Sequence, residues 1–347
     1  MKEAKYYKTL GEDKVKCLLC PRECIIKNGM YGACLARKNI DGTLYSMVYG
    51  KISSMAIDPI EKKPLFHFWP GSPTFSISTV GCNLKCIHCQ NWTISQVSPD
   101  HLTLRELDPE SIVRYALRYK CNSISYTYNE PLIWFEFVLD AAKEAKKEGI
   151  MNILVTNGFI NEEPLKELLP YIDAANVDLK SINDEFYRKI CKVDKAVEHV
   201  QRTIVMMKER KVHVEITNLI IPTENDKEDE IRKLSIWVLE NVGETTPLHF
   251  TRFHPNYKLT FLPPTPVYTL ERAREIAISE GLKYVYIGNV PGHSFENTYC
   301  PRCHSLLIGR YGFTIINWNL TEDNKCKNCG EPIPIIGKRI ESKWSFI

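Results

Sequence analysis

Between about residues 71 and 290, short strand-like runs alternate with longer helical ones, and that alternation leaves the chain few ways to fold. Thr74–Val80 alternates polar and apolar residues as a half-buried strand does, and Ser123–Tyr128, Met151–Thr156, Ala174–Leu179, Val212–Ile221 and Leu248–Arg252 follow as strand candidates. Helical segments sit between them. Asp108-Pro109 offers an N-cap acid followed by proline at the first helical position, Pro131–Glu148 runs to Gly149, Lys227–Asn241 continues the pattern, and Leu270–Glu280 runs to Gly281. Six βα units in succession imply an α/β fold with a parallel sheet. The pattern leaves open whether that sheet is flat and doubly wound or curls into a barrel.

Cysteine divides the rest of the chain. Eleven of the thirteen cysteines fall into three groups, which suggest a four-cysteine module at 1–70, the βα region at 71–290 and a second four-cysteine module at 291–347. No apolar run is long enough to span a bilayer, and Met1–Lys16 lacks the apolar core of a signal peptide, so the chain reads as soluble and cytoplasmic. In a reducing compartment, clustered thiols point to metal or catalysis rather than disulfides. The two isolated cysteines, Cys121 and Cys191, read as small buried hydrophobes. A formal net charge of +3 gives no clear sign of a nucleic-acid partner.

The central group, Cys82-x3-Cys86-x2-Cys89, follows the first expected strand directly. Three close thiolates can cap three corners of a four-iron four-sulfur cluster and leave the fourth iron open, and an open position is where chemistry happens. Loops at the carboxyl ends of parallel strands are also where such folds place active sites. The competing reading is zinc, completed by His88 or a distant residue; the spacing favours the cluster.

This run resembles the signature of the radical S-adenosylmethionine (SAM) superfamily. The resemblance implies a partial (β/α)6 barrel. It also implies that the open iron binds the amino and carboxylate groups of SAM, and that one electron splits SAM to a 5′-deoxyadenosyl radical that abstracts hydrogen from a substrate. In that family an aromatic residue precedes the third cysteine and packs near adenine; here it is His88. Asn129-Glu130-Pro131, Thr156-Asn157, Asp178-Leu179-Lys180 and His254 stand at successive strand ends and are similar to the SAM-contacting positions of pyruvate formate-lyase activating enzymes. The two glycines that the family places before the Glu-Pro pair are absent. Asp178 and Lys180, two apart on a strand, point to one face, and could pair the amine and carboxylate of SAM. CLLCPREC, Phe66–Ser72, Cys89–Trp92 and Phe253-His254-Pro255 extend the likeness, over almost the whole chain, to the radical SAM proteins of the AmmeMemoRadiSam system.

The outer groups are less specific. Cys300-x2-Cys303 and Cys326-x2-Cys329 have the double-knuckle form of a zinc ribbon. Cys17, Cys20, Cys24 and Cys34 suit either zinc or an auxiliary iron–sulfur cluster. The resemblance implies a low-potential electron donor of ferredoxin or flavodoxin type, and a protein or peptide substrate such as a glycine of a partner enzyme. Radical modification of a small molecule or of another protein residue is the alternative. A non-catalytic iron–sulfur, zinc or electron-transfer scaffold is a third reading, opposed by the open three-cysteine site.

Overall fold

A computed structural model describes residues 1–11 and 13–341, so the end of the C-terminal segment lies outside the described residues. Its centre is one eight-stranded sheet: β1 (Ser54–Pro59), β2 (Pro73–Ser78), β3 (Ser123–Tyr126), β4 (Met151–Thr156), β5 (Ala174–Asp178), β6 (His213–Ile220), β7 (Leu248–Arg252) and β8 (Val285–Gly288). The strands neighbour one another in chain order, and β2 to β8 are all parallel. The edge strand β1 pairs antiparallel with β2. β1 and β8 are the two edges and do not pair, so the βα series forms an open barrel.

The connecting helices are α1 (Pro109–Arg118), α2 (Phe135–Lys147), α3 (Glu162–Leu168), α4 (Ala196–Glu209), α5 (Glu228–Val242) and α6 (Val267–Ser279). Asp108 caps α1 as its sequence suggests, accepting from the Ser111 N–H at 2.6 Å. Six βα units are therefore present, and a seventh parallel strand, Val285–Gly288, follows them. The edge strand and the seventh parallel strand are not among the sequence candidates.

Strand alternation sorts the two faces. Phe75 and Ile77, Ile124 and Tyr126, Ala175 and Val177, Val214 and Ile216, and Leu248 and Phe250 face the helices in one continuous apolar core. The inward face is polar. Thr74 Oγ1 meets Ser125 Oγ at 2.7 Å, and Thr217 Oγ1 donates to Asn176 Oδ1 at 2.9 Å.

Residues 60–69 close the amino-terminal end of the barrel. Ile60, Leu65 and Phe68 pack on Ile153 and Ala174. The His67 N–H donates to Glu215 Oε1 at 2.7 Å, and Glu215 is also held by His249 at 2.7 Å and His213 at 3.0 Å. Burial opposes the charge of Glu215, but these two histidines hold its carboxyl well below the usual range. The C-terminal module, built on Thr298–Tyr299, Leu306–Tyr311 and Thr314–Trp318, docks on the same stretch. Ile336 and Phe68 bridge in parallel, and the Trp69 N–H and the Ile336 N–H each bond at 2.8 Å, to Ile336 O and His67 O. Gly337 lies beneath the Trp69 indole, where a Cβ would come within 2.3 Å of the ring.

At the other end of the chain, two three-stranded antiparallel sheets carry the first cysteine group. They are fastened by a buried ion pair of Arg37 with Glu136 on α2, and by Trp134 Nε1 donating to Val48 O at 2.6 Å.

Candidate active site

The site forms at the carboxyl ends of the parallel strands, where side chains leaving the sheet converge. After β2 the chain turns at Gly81, with φ of +90°, into the loop carrying Cys82, Cys86 and Cys89. A Cβ at Gly81 would lie 2.4 Å from Cys34 O, so only glycine lets the N-terminal module approach this closely.

A belt of hydrogen bonds braces the loop. Asn129 Nδ2 donates to Gly81 O at 2.9 Å, and its Oδ1 accepts from the Thr79 N–H at 3.2 Å. Asn157 Nδ2 donates to Asn83 Oδ1 at 2.9 Å and points at Cys82 Sγ from 3.8 Å. Asn83 Nδ2 reaches Phe159 O at 2.7 Å. Glu130 anchors the belt: its carboxylate accepts from Thr156 Oγ1 at 2.6 Å, from the Asn157 N–H at 2.8 Å and from the Leu132 N–H at 3.0 Å. Burial nevertheless pushes its carboxyl up to about 7. Asn129, Glu130, Thr156 and Asn157 are thus brought to the cysteine loop, with their polar groups engaged by the protein itself.

The three sulfurs suit a cluster better than a lone ion. N–H donors face one of them, with the Leu84 N–H 3.4 Å from Cys82 Sγ, while Ser95 Oγ lies 3.1 Å from Cys89 Sγ. The three do not gather within single-ion distance: among the described residues, the set of three or more metal-binding side chains whose atoms all lie within 4.8 Å of one another is Cys300, Cys303, Cys326 and Cys329. His88, on the loop itself, is buried, and its Nδ1 has no hydrogen-bond partner.

Asp178 and Lys180 close the same end of the barrel. Lys180 Nζ bonds Asp178 Oδ2 at 2.8 Å, and Asp178 is about one-third exposed. Burial works against the ammonium, but Asp178, Cys86 and Cys191 together hold Lys180 well above its ordinary value. His254 is exposed on the loop after β7. From that loop Tyr257 stacks on Trp92, ring centroids 5.1 Å apart, and the Lys258 N–H donates to Ile87 O at 2.9 Å, so the segment folds over the cysteine loop.

Two participants escaped the sequence reading. Asn83 stands between two of the cysteines, yet its bracing role is visible only from its partners. Cys191 is buried, as expected of an isolated cysteine, but together with burial it also pushes the Cys86 thiol well above its ordinary value rather than merely filling space. A π-helical turn, Tyr187–Cys191, delivers it: the Lys85 and Ile87 N–H groups each donate at 2.9 Å, to Cys191 O and Ile190 O. No sequence signal links residues so far apart.

In the C-terminal module the contacts are shorter. Cys300 and Cys329 sulfurs lie 3.5 Å apart, and Cys303 and Cys326 sulfurs 3.7 Å. A tetrahedral ion with bonds of about 2.3 Å sets its sulfurs about 3.8 Å apart, so these four residues fit one metal ion.

Comparison with known proteins gives the site its context. A family model described as Radical SAM superfamily matches residues 76–235. A protein of Methanocaldococcus jannaschii, named Uncharacterized protein MJ0808, is 53% identical over 97% of this chain and 100% of its own. The pyruvate formate-lyase 1-activating enzyme of Escherichia coli K12 is 26% identical over 59% of this chain and 89% of its own. A solved domain of a pyruvate-formate lyase-activating enzyme from Bacteroides vulgatus aligns with a TM-score of 0.43 and 19% identity, over 48% of this chain and 99% of that one.

Proposed function

This chain belongs to the radical SAM superfamily, and from that premise we propose that Cys82, Cys86 and Cys89 hold a four-iron cluster at which SAM is cleaved to act on a protein or peptide. The cluster, when bound, supplies the electron that breaks the sulfur–C5′ bond of SAM and frees a hydrogen-abstracting 5′-deoxyadenosyl radical.

The chain's own residues set the stage. The belt of Asn129, Glu130, Thr156 and Asn157 fixes the cysteine loop, and so acts on the cofactor site through position. The Asp178–Lys180 pair lies where a zwitterionic ligand can exchange with it: the ammonium takes a carboxylate, and the carboxylate takes an amine or ribose hydroxyl. His88 offers a buried flat ring with a free Nδ1. His254, exposed on the loop after β7, can reach a ligand from the open side.

One observation carries the choice of a large substrate. Trp92, three residues after Cys89, is 40% exposed in its stack on Tyr257, and Phe261, on the same loop as Tyr257, is 75% exposed. Exposed aromatic surface beside a site suits a polypeptide. The 26% relative is named as an activating enzyme, which supports a glycine of a partner enzyme as target. A small charged substrate is favoured by a different feature: Lys62 and Lys63 both bond Asp58, at 2.8 and 2.6 Å, and Tyr128 bonds it too, on the polar inward face.

We further assign zinc to Cys300, Cys303, Cys326 and Cys329, and a ferredoxin- or flavodoxin-type protein as electron donor in the cytoplasm. Among the described residues, no helix is long and apolar enough to cross a membrane.

Anaerobic reduction with SAM tests the reading. 5′-Deoxyadenosine should form, and Cys82→Ala, Cys86→Ala or Cys89→Ala should abolish it; no product from reduced, cluster-loaded protein would sink the enzymatic reading. Deuterium transfer from labelled partners into 5′-deoxyadenosine then identifies the substrate. A glycyl-radical doublet in the partner supports activation, and transfer without it supports another target.

A further inference from the structure

The chain carries two complete sets of four cysteines, and the structure treats them differently. In the C-terminal set all four sulfurs gather within 4.8 Å, as thiolates sharing one ion must. The N-terminal set lines a cavity instead: Cys17, Cys20, Cys24 and Cys34 surround it, together with Arg37 and Asn83. No three of these sulfurs close to single-ion distance; in this they match Cys82, Cys86 and Cys89. Thiolates on a cubane bond different irons and point away from the cage centre, so they stand further apart than thiolates on one zinc.

The position of the cavity gives a second argument. The Cys82 N–H donates to Cys34 O at 3.1 Å, so a cysteine of one set is hydrogen-bonded directly to a cysteine of the other. Asn83, the next residue, lines the cavity wall, and Arg22 Nε donates to Asn83 O. Gly81 permits this contact, since any Cβ there would strike Cys34 O. Zinc has no redox chemistry, and a purely structural ion gains nothing from lying against the reactive loop.

Charge agrees. Lys85 Nζ, on the cysteine loop, is buried with no hydrogen-bond partner. Arg37 Nη1 points at Cys17 Sγ from 3.9 Å. Buried cations beside the two cysteine sets are costly, and anionic centres there lower that cost.

We propose that Cys17, Cys20, Cys24 and Cys34 hold a second four-iron iron–sulfur cluster, which passes single electrons to the Cys82 site. The relay rests on the radical SAM reading; the metal assignment does not. In each transfer a low-potential protein donor reduces the N-terminal cluster by one electron. That cluster is reoxidised as the Cys82 cluster gains the electron, and no bond or proton moves.

Metal analysis of the full chain, reconstituted without air, decides the site. About eight irons and about one zinc per chain are expected. About four irons, with either one or two zincs, would overturn the assignment. The combined Cys82→Ala, Cys86→Ala and Cys89→Ala protein should keep about four irons and, when reduced, an electron paramagnetic resonance signal that SAM does not change. The relay is read separately, in Cys20→Ser. Deoxyadenosine formation driven by a flavodoxin should fall by about tenfold or more, while that driven by dithionite stays within about twofold. An unchanged flavodoxin-driven rate, or equal losses with both donors, defeats the relay. Failure of the radical SAM reading looks different: the wild-type chain would then make no deoxyadenosine with either donor, whatever its iron content.

Discussion

Glu130 distinguishes a residue that positions the site from one that only touches the cofactor, and Glu130→Gln is the perturbation that separates them. The carboxylate accepts three hydrogen bonds, two on Oε1 and one on Oε2. Glutamine has one acceptor. In its better orientation the amide oxygen keeps Thr156 and Leu132, while the NH2 group faces the Asn157 N–H, donor against donor. That loses one bond to a charged acceptor, worth about 1.5–3 kcal/mol, and leaves a buried N–H unsatisfied at about 1–3 kcal/mol. The opposite orientation loses two bonds. We expect about 3 kcal/mol of destabilisation, in protein carrying neither SAM nor metal. Urea unfolding at constant pH measures it, and a slope of about 2 kcal/mol per molar would move the midpoint by over 1 M. The disturbance should pass through Asn157 to Asn83 and lower cluster retention. If the bare protein unfolds at the wild-type midpoint and only SAM affinity drops, the bracing argument is wrong and Glu130 is a cofactor contact alone.

Four further outcomes follow from the geometry. Glu136→Gln strands the buried Arg37 guanidinium and should cost about 3–5 kcal/mol by denaturant titration, with the N-terminal segment the first region to become protease-sensitive. Burial lowers His67 to about 3, below its unfolded value, so its contribution is full above about pH 6.5 and is lost as the pH falls toward 3. The acid-side slope of stability should therefore flatten in His67→Gln, by up to about 1.4 kcal/mol per pH unit, and an unchanged slope counts against a neutral buried ring. Cys191→Ala removes the buried thiol that acts on Cys86 from the turn hydrogen-bonded to the cysteine loop, so the midpoint of the Cys82-group cluster should shift by tens of millivolts; equal midpoints in a potentiometric titration would show that the contact is idle. Chelation of the zinc proposed at Cys300, Cys303, Cys326 and Cys329 should raise amide exchange in residues 66–70 as well as in the module itself, because the two share backbone hydrogen bonds.

The parts legible in the sequence share one property: their signal is local. The six expected strands are present because alternation and flanking turn residues lie within each segment. Val285–Gly288 escaped because it follows the last helix of the βα series, and β1 because it precedes the first βα unit and runs antiparallel. The cysteine loop was legible because three ligands lie within eight residues. Cys191 and Asn83 were not, since each acquires its role from partners in other elements. The strand-end residues were located correctly at the carboxyl ends of the sheet, but sequence could not separate those braced into the loop, such as Glu130, from those left with accessible surface, such as Asp178.

The contact between Trp69 and Gly337 has a bearing on how the molecule is made. Residues 66–70 leave the ribosome some 270 residues before their backbone partners at 336 and 340. Until then the floor of the barrel lacks its outer layer, however complete the helices above it. Loop closure over so long a stretch of chain is slow, and an unfinished sheet edge invites wrong partners. The later segment therefore acts as a latch: the arrival of residues 336–340, rather than collapse of the core, completes the floor of the vessel.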